Sequence, residues 1–111
     1  PPMNLIRAEI DQKQVKINGY DGLMVAPEAL SGPITMGIRP EDVELDDQGQ
    51  VQFHVDILEE LGAHRLLHGR IDDQPFSVMI GKEDTAHTGE TRIKLKPEAL
   101  RLFDKDTGLR L

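Results

Sequence analysis

A handful of side chains in this 111-residue sequence have types and spacings that invite chemistry, and each was weighed as a site. His64 and His68 lie four apart, as two metal ligands on a helix would. Their neighbours Gly62 and Gly69 and the local alternation favour a strand instead. There the two rings share a face about 13 Å apart, too far to hold one ion. They are expected to be structural, His54 and His87 look isolated, and no metal site is expected. The carboxylate pairs Glu41/Asp42, Asp46/Asp47, Glu59/Glu60 and Asp72/Asp73 fall mostly at turns, where Asp hydrogen-bonds the local backbone. Acid–base catalysis needs two carboxyls converging on a pocket, which adjacency does not provide. The single Gly-Lys step, Gly81-Lys82, has Phe76 where a phosphate loop needs its first glycine and Glu83 in place of Ser or Thr. With no cysteine and no nucleophile elbow, the sequence predicts neither catalysis nor a cofactor within these residues. An alternative is a small oxyanion-sensing barrel for molybdate or sulfate, with Thr85, Thr88, Thr91 and Lys82 as donors. Glu83, Asp84 and Glu90 crowd those donors with like charge.

Charge and composition narrow the classes further. Thirteen basic and twenty acidic residues leave a net charge of −7, and the chain has one Tyr, three Phe and no Trp. A nucleic-acid binder needs a basic groove and stacking aromatics, so that class is set aside. The one modest basic cluster, Arg92, Lys94 and Lys96, alternates like a strand face. No apolar run approaches the roughly 18–20 residues of a membrane helix, so direct membrane insertion is not expected. Absence of cysteine fits a reducing cytoplasm. The start Pro1-Pro2-Met3, with no methionine before it, suggests a piece of a longer protein.

The elements that would position these residues are short strands. Val51, Phe53, Val55 and Ile57 are expected on one face; Phe76, Val78 and Ile80, Ile93 and Leu95, and Ile34, Met36 and Ile38 repeat the pattern. Turn chemistry separates them at Asp46–Gly49, Asp72–Pro75, Gly81 and Thr88–Glu90. Asn18-Gly19-Tyr20-Asp21-Gly22 predicts a hairpin. Only Ala26–Leu30 and the segments after Pro40 and Pro97 have room for single helical turns. The fold class is all-β, of barrel or sandwich type.

A repeat sharpens this. Residues 32–45, GPITMGIRPEDVEL, and 89–102, GETRIKLKPEALRL, share glycine, proline, glutamate and leucine at matched positions. Each is an alternating strand, a basic residue, and a proline opening one turn, where its missing N–H costs nothing. This predicts a duplicated half-domain, two halves too small to be stable apart.

From Met36 to Val43 the sequence resembles the Gly-Ile-Arg-Pro-Glu motif in the C-terminal regulatory domain (TOBE/MOP-like) of maltose- and glycerol-3-phosphate-type ABC-transporter ATP-binding subunits. Pro2-Met3-Asn4, Val55–Gly62 and Phe103–Gly108 are similar to further blocks of that family, in the same order. The resemblance implies OB-fold-like small barrels in tandem with exchanged C-terminal strands, over residues 1–111. It implies a regulatory and dimerisation role in an importer of sugars or sugar-like solutes such as glycerol 3-phosphate. ATP and magnesium would bind a preceding domain. Implied partners are a second copy, the transporter's membrane subunits and an inhibitory regulatory protein, on the cytoplasmic face of the membrane. The residues carried over are structural or regulatory. Gly37, Arg39, Pro40 and Glu41 make a corner, with Arg39 available for a carboxylate, and Pro97 and Glu98 repeat it. Glu60 and Gly62 end a strand, Phe103 plugs the barrel or the subunit contact, and Gly108 belongs to the terminal Phe-Asp-x-x-Thr-Gly tail.

Overall fold

Strict alternation of buried and exposed residues runs along the first strand, where Ile6, Ala8 and Ile10 face inward and Leu5, Arg7 and Glu9 face solvent. Period-two burial of this kind fixes a half-buried strand and its register. The computed structural model describes residues 2–17 and 19–111. Ten strands follow one another: β1 (Asn4–Asp11), β2 (Gln14–Ile17), β3 (Tyr20–Val25), β4 (Gly32–Ile38), β5 (Val43–Leu45), β6 (Val51–Glu60), β7 (His64–Ile71), β8 (Gln74–Gly81), β9 (Gly89–Leu95) and β10 (Arg101–Phe103). Short 3-10 turns at Pro40–Asp42 and Pro97–Ala99 interrupt them. Ala26–Leu30 makes only a turn, closed by the Leu30 N–H on the Pro27 carbonyl. Asn18, in the expected β2–β3 turn, lies outside the described residues; Gly19 and Gly22 beside it both have positive φ.

All pairings are antiparallel and form two five-stranded sheets, ordered β10-β4-β1-β2-β3 and β5-β9-β6-β7-β8. The two orders are the same pattern. Each lobe has four consecutive strands, β1–β4 or β6–β9, and a fifth, short strand taken from the other repeat. After β4 the chain turns at Pro40 and pairs β5 with β9, Val43 opposite Leu95; after β9 it turns at Pro97 and pairs β10 with β4, Leu102 opposite Met36. The strands after the two corners are thus exchanged, and neither sheet is complete without the other.

One core runs through both lobes. Ile6, Val15, Leu23, Met36 and Ile38 fill the first, and Val51, Phe53, Leu67, Phe76, Ile93 and Leu95 fill the second. Phe53 and Phe76 meet edge to face with centroids 5.8 Å apart, a geometry favoured by the ring quadrupoles. Ile57 departs from the expected face. A bulge between Val55 and Ile57 adds a residue to β6, so Ile57 swings outward to 61% exposure and Leu58 takes the inner side. Gly69 pairs with Val55 at that bulge, where a Cβ would collide with the His54 carbonyl.

Candidate functional site

The corner motif begins at Gly37, in the interior of β4. Leu5 of β1 lies opposite it on one side and Arg101 of β10 on the other. A Cβ at Gly37 would stand 2.6 Å from the Met3 sulfur and 2.8 Å from the Phe103 ring. Glycine is required here because three elements close over one point. Phe103 is half-buried at this spot, and the fully buried aromatic pair is Phe53 and Phe76.

Arg39 is extended, and Pro40 then opens the 3-10 turn, with Asp42 N–H on the Arg39 carbonyl at 3.0 Å. Pro40 is buried against β8 and Val43 returns the chain to the core. Arg39 is exposed and forms no ion pair with a described residue, which leaves its guanidinium available for a carboxylate. At the second corner Lys96 occupies the matching place and pairs with Glu44 of β5 at 3.3 Å. Pro97 and Glu98 are exposed, and the Arg101 guanidinium donates to the Glu98 and Leu100 carbonyls at 2.9 and 3.1 Å.

Glu60 and Gly62 make the β6–β7 hairpin end. Gly62 has φ +83°, the Leu61 N–H reaches the His64 carbonyl at 2.8 Å, and Glu60 lies 2.9 Å from Arg65 Nε without the angle for a hydrogen bond. Arg65 also donates to the Asp84 carbonyl at 3.1 Å, tying this tip to the segment after β8. In the tail, Asp104 accepts the N–H groups of Thr107 at 2.8 Å and Asp106 at 2.9 Å, and Gly108 (φ +74°) closes the turn. Those donors hold the Asp104 carboxyl below its usual 3.8. Of these residues the fold brings Gly37 and Phe103 together. The strands flanking the two corners pair with each other, Gly37 with Arg101 and Val43 with Leu95, and Lys96 reaches Glu44, whereas among the described residues no hydrogen bond or ion pair joins the Gly62 hairpin to either corner.

His54 is not isolated. Its Nδ1 lies 2.6 Å from Glu90 and its Nε2 3.3 Å from Asp56, which also holds Arg70 at 3.1 Å. The partners come from neighbouring strands, Glu90 on β9 and Arg70 on β7, each directly opposite His54. His68 pairs with Glu59 at 2.7 Å. Among the described residues no three His, Cys, Asp or Glu side chains are placed to hold a metal ion. Thr85 and Thr91 line a hollow shared with Asp46 and Asp47, so carboxylates face those hydroxyls. No described helix is long and apolar enough to cross a membrane.

Two connections escaped the sequence reading. Asn4 is the one buried polar residue of the described core, and its amide both donates to the Ser77 carbonyl and accepts the Ser77 N–H, each at 2.8 Å. This side chain acts like an extra ladder rung between β1 and β8, joining the two sheets. Beside it the Arg7 N–H reaches Gln74 at 2.7 Å and the Arg7 guanidinium reaches Asp73 at 3.0 Å. The available signal was parity: Asn4 shares the inward positions of Ile6, Ala8 and Ile10, where an amide must find partners. Arg92, counted in the basic cluster, donates to the Gly49 carbonyl at 2.7 Å and anchors the β5–β6 turn.

Residues 36–103 match the TOBE domain. Over 112 aligned residues the whole chain is 47% identical to the sn-glycerol-3-phosphate import ATP-binding protein UgpC of Jannaschia sp. (strain CCS1), covering 32% of that protein. It is 37% identical to the protein of the same name from Ruegeria sp. (strain TM1040), covering 32% of it, and 33% identical to that of Shigella sonnei (strain Ss046), covering 33%. The chain thus spans about a third of the length of these curated relatives and corresponds to their C-terminal part. With the corner at Gly37–Glu41, its counterpart at Pro97 and the exchanged strands all inside or bordering the matched span, the chain belongs to the TOBE domain family.

Proposed function

We propose that this chain is the regulatory end of the ATP-binding subunit of an ABC importer for sugar-like solutes, with glycerol 3-phosphate as the solute. The observation that carries this is the 47% identity across the whole chain to the C-terminal part of a glycerol-3-phosphate import ATP-binding protein. ATP and magnesium are then the business of the preceding part of the parent. The two half-barrels act as one 1–111 unit derived from a duplication, because the exchanged β5 and β10 prevent either lobe from moving off alone. A unit of that stiffness suits a regulatory arm: a partner pressing on one lobe displaces the other. Its partners are a second copy of the subunit and the transporter's membrane subunits, with an inhibitory protein as regulator. Its place is the cytoplasmic face of the membrane. Arg39, Glu41 and Glu98 are exposed at the corners and offer the polar contacts.

The test is to sequence the parent gene upstream of Pro1 and reconstitute the parent with its membrane subunits in vesicles. A preceding phosphate loop, and uptake of glycerol 3-phosphate that escapes regulation when residues 1–111 are deleted, support the reading. An upstream start codon without an ATPase domain, or uptake and regulation indifferent to the deletion, overturns it.

A further inference from the structure

At the start of β1 the surface opens into a groove of about 420 Å³ bordered by Met3, Leu5, Leu66, His68, Pro75 and Phe76. No Asp, Glu, Lys or Arg lines it, in a chain of net charge −7. Four other hollows all carry carboxylates, including Asp72 and Asp73, Asp46 and Asp47, Asp72 and Glu90, and Glu41 and Asp84. The floor is fixed, because Asn4 is bound through both ends of its amide to the Ser77 backbone. Between the buried Asn4 and Ile6, Leu5 stands 58% exposed on this fixed frame. An apolar depression rimmed by polar groups is the usual form of a contact surface.

We infer that this groove seats the segment of the parent subunit that precedes Pro1, on its ATP-binding side. The inference rests on the reading that such a subunit continues upstream. The curated relatives are about three times as long as this chain, which matches their C-terminal part. On that reading an upstream portion would join the chain next to Pro2 and Met3, and both residues line the groove. A free protein partner needs about 800 Å² per side for a stable complex, more than this hollow offers. A segment tethered at the groove's own edge does not, because the tether raises its effective concentration to the millimolar range. Apolar side chains near the junction are the matching chemistry.

Peroxide oxidation of the methionines in the full-length parent tests this, read by peptide mass spectrometry. Met3 and Met24 are both half-buried in this chain, Met3 in the groove and Met24 on β3, far along the sheet order. In the parent, Met3 is expected to oxidise more slowly relative to Met24 than in the 111-residue chain. Leu5→Lys in the parent should abolish that protection, whereas Leu61→Lys, at an exposed apolar site on the β6–β7 hairpin end, should leave it intact. Equal Met3 oxidation in parent and chain, or the same response to both lysines, overturns the proposal while leaving the functional reading standing. A gene with no domain upstream overturns both, and is read before any oxidation is measured.

Discussion

The first corner buries its proline and the second exposes it, although both run a basic residue, Pro and Glu in the same order. Pro40 rests on β8, the outer strand of the lobe that β5 completes, and β5 and β8 also lie close, so the second sheet curls nearly shut. Among the described residues no strand packs on the Pro97 turn as closely as β8 packs on the first, and the Arg101 guanidinium donates to two carbonyls there. The strands of the second lobe are longer, with β7 at eight residues against four for β2 and β8 at eight against six for β3. Both turns close on the same backbone bonds and bury the residue after them, Val43 or Leu100; the first adds packing of its proline and the second the Arg101 bonds. A repeated sequence specifies a turn; the neighbouring strands decide what stabilises it.

The sharpest way to break this comparison is at the aromatic pair. Phe53→Ala should cost about 3–5 kcal/mol in denaturant titration. Because each sheet borrows its fifth strand from the other, loss of the second lobe should unfold the first in the same transition. Two separated transitions would show that exchange does not couple the lobes. Next comes the amide bridge: Asn4→Ala leaves the Ser77 N–H and carbonyl unpaired and should cost about 1–3 kcal/mol, measured the same way. A change within error would mean that water replaces the amide there. The corners themselves give a smaller contrast. Pro97→Ala should cost about 0.4–1 kcal/mol through added freedom of the unfolded chain, whereas Pro40→Ala also loses buried methylenes and should cost about 1–2 kcal/mol. Equal costs would erase the distinction drawn between them.

The smallest effect belongs to the tail. Because the folded Asp104 carboxyl sits below its usual 3.8, its contribution is complete above that value and is lost as pH falls through the lower, folded value. Below pH about 3.8 the Asp106 and Thr107 amide resonances should shift together, and in Asp104→Asn that shift should vanish. Two lysines, Lys16 beside Asp11 and Lys105 beside Asp106, are shifted up and stay charged through this range.

Much of this was legible in the residues because alternation is a local signal. Phe76, Val78, Ile80, Ile93 and Leu95 sit where their parity puts them. Ile57 does not, since a bulge is set by the partner strand, here by the room that Gly69 leaves. The exchange itself came from the family resemblance: Val43-Glu44-Leu45 and Arg101-Leu102-Phe103 are both short alternating strands, and nothing in either names its partner. Cross-strand register likewise hid the Glu90 and Arg70 neighbours of His54, which lie 36 and 16 positions away in the sequence.

The exchanged strand also sets a schedule for synthesis. The first four strands are finished by Ile38, yet the edge of β4 that β10 covers stays bare until residue 103 has left the ribosome. At about 5–20 residues per second, that leaves the first lobe incomplete for several seconds, with an unpaired strand edge exposed to other nascent chains. Residue 95 completes the second lobe and residue 103 the first, so the two close almost together.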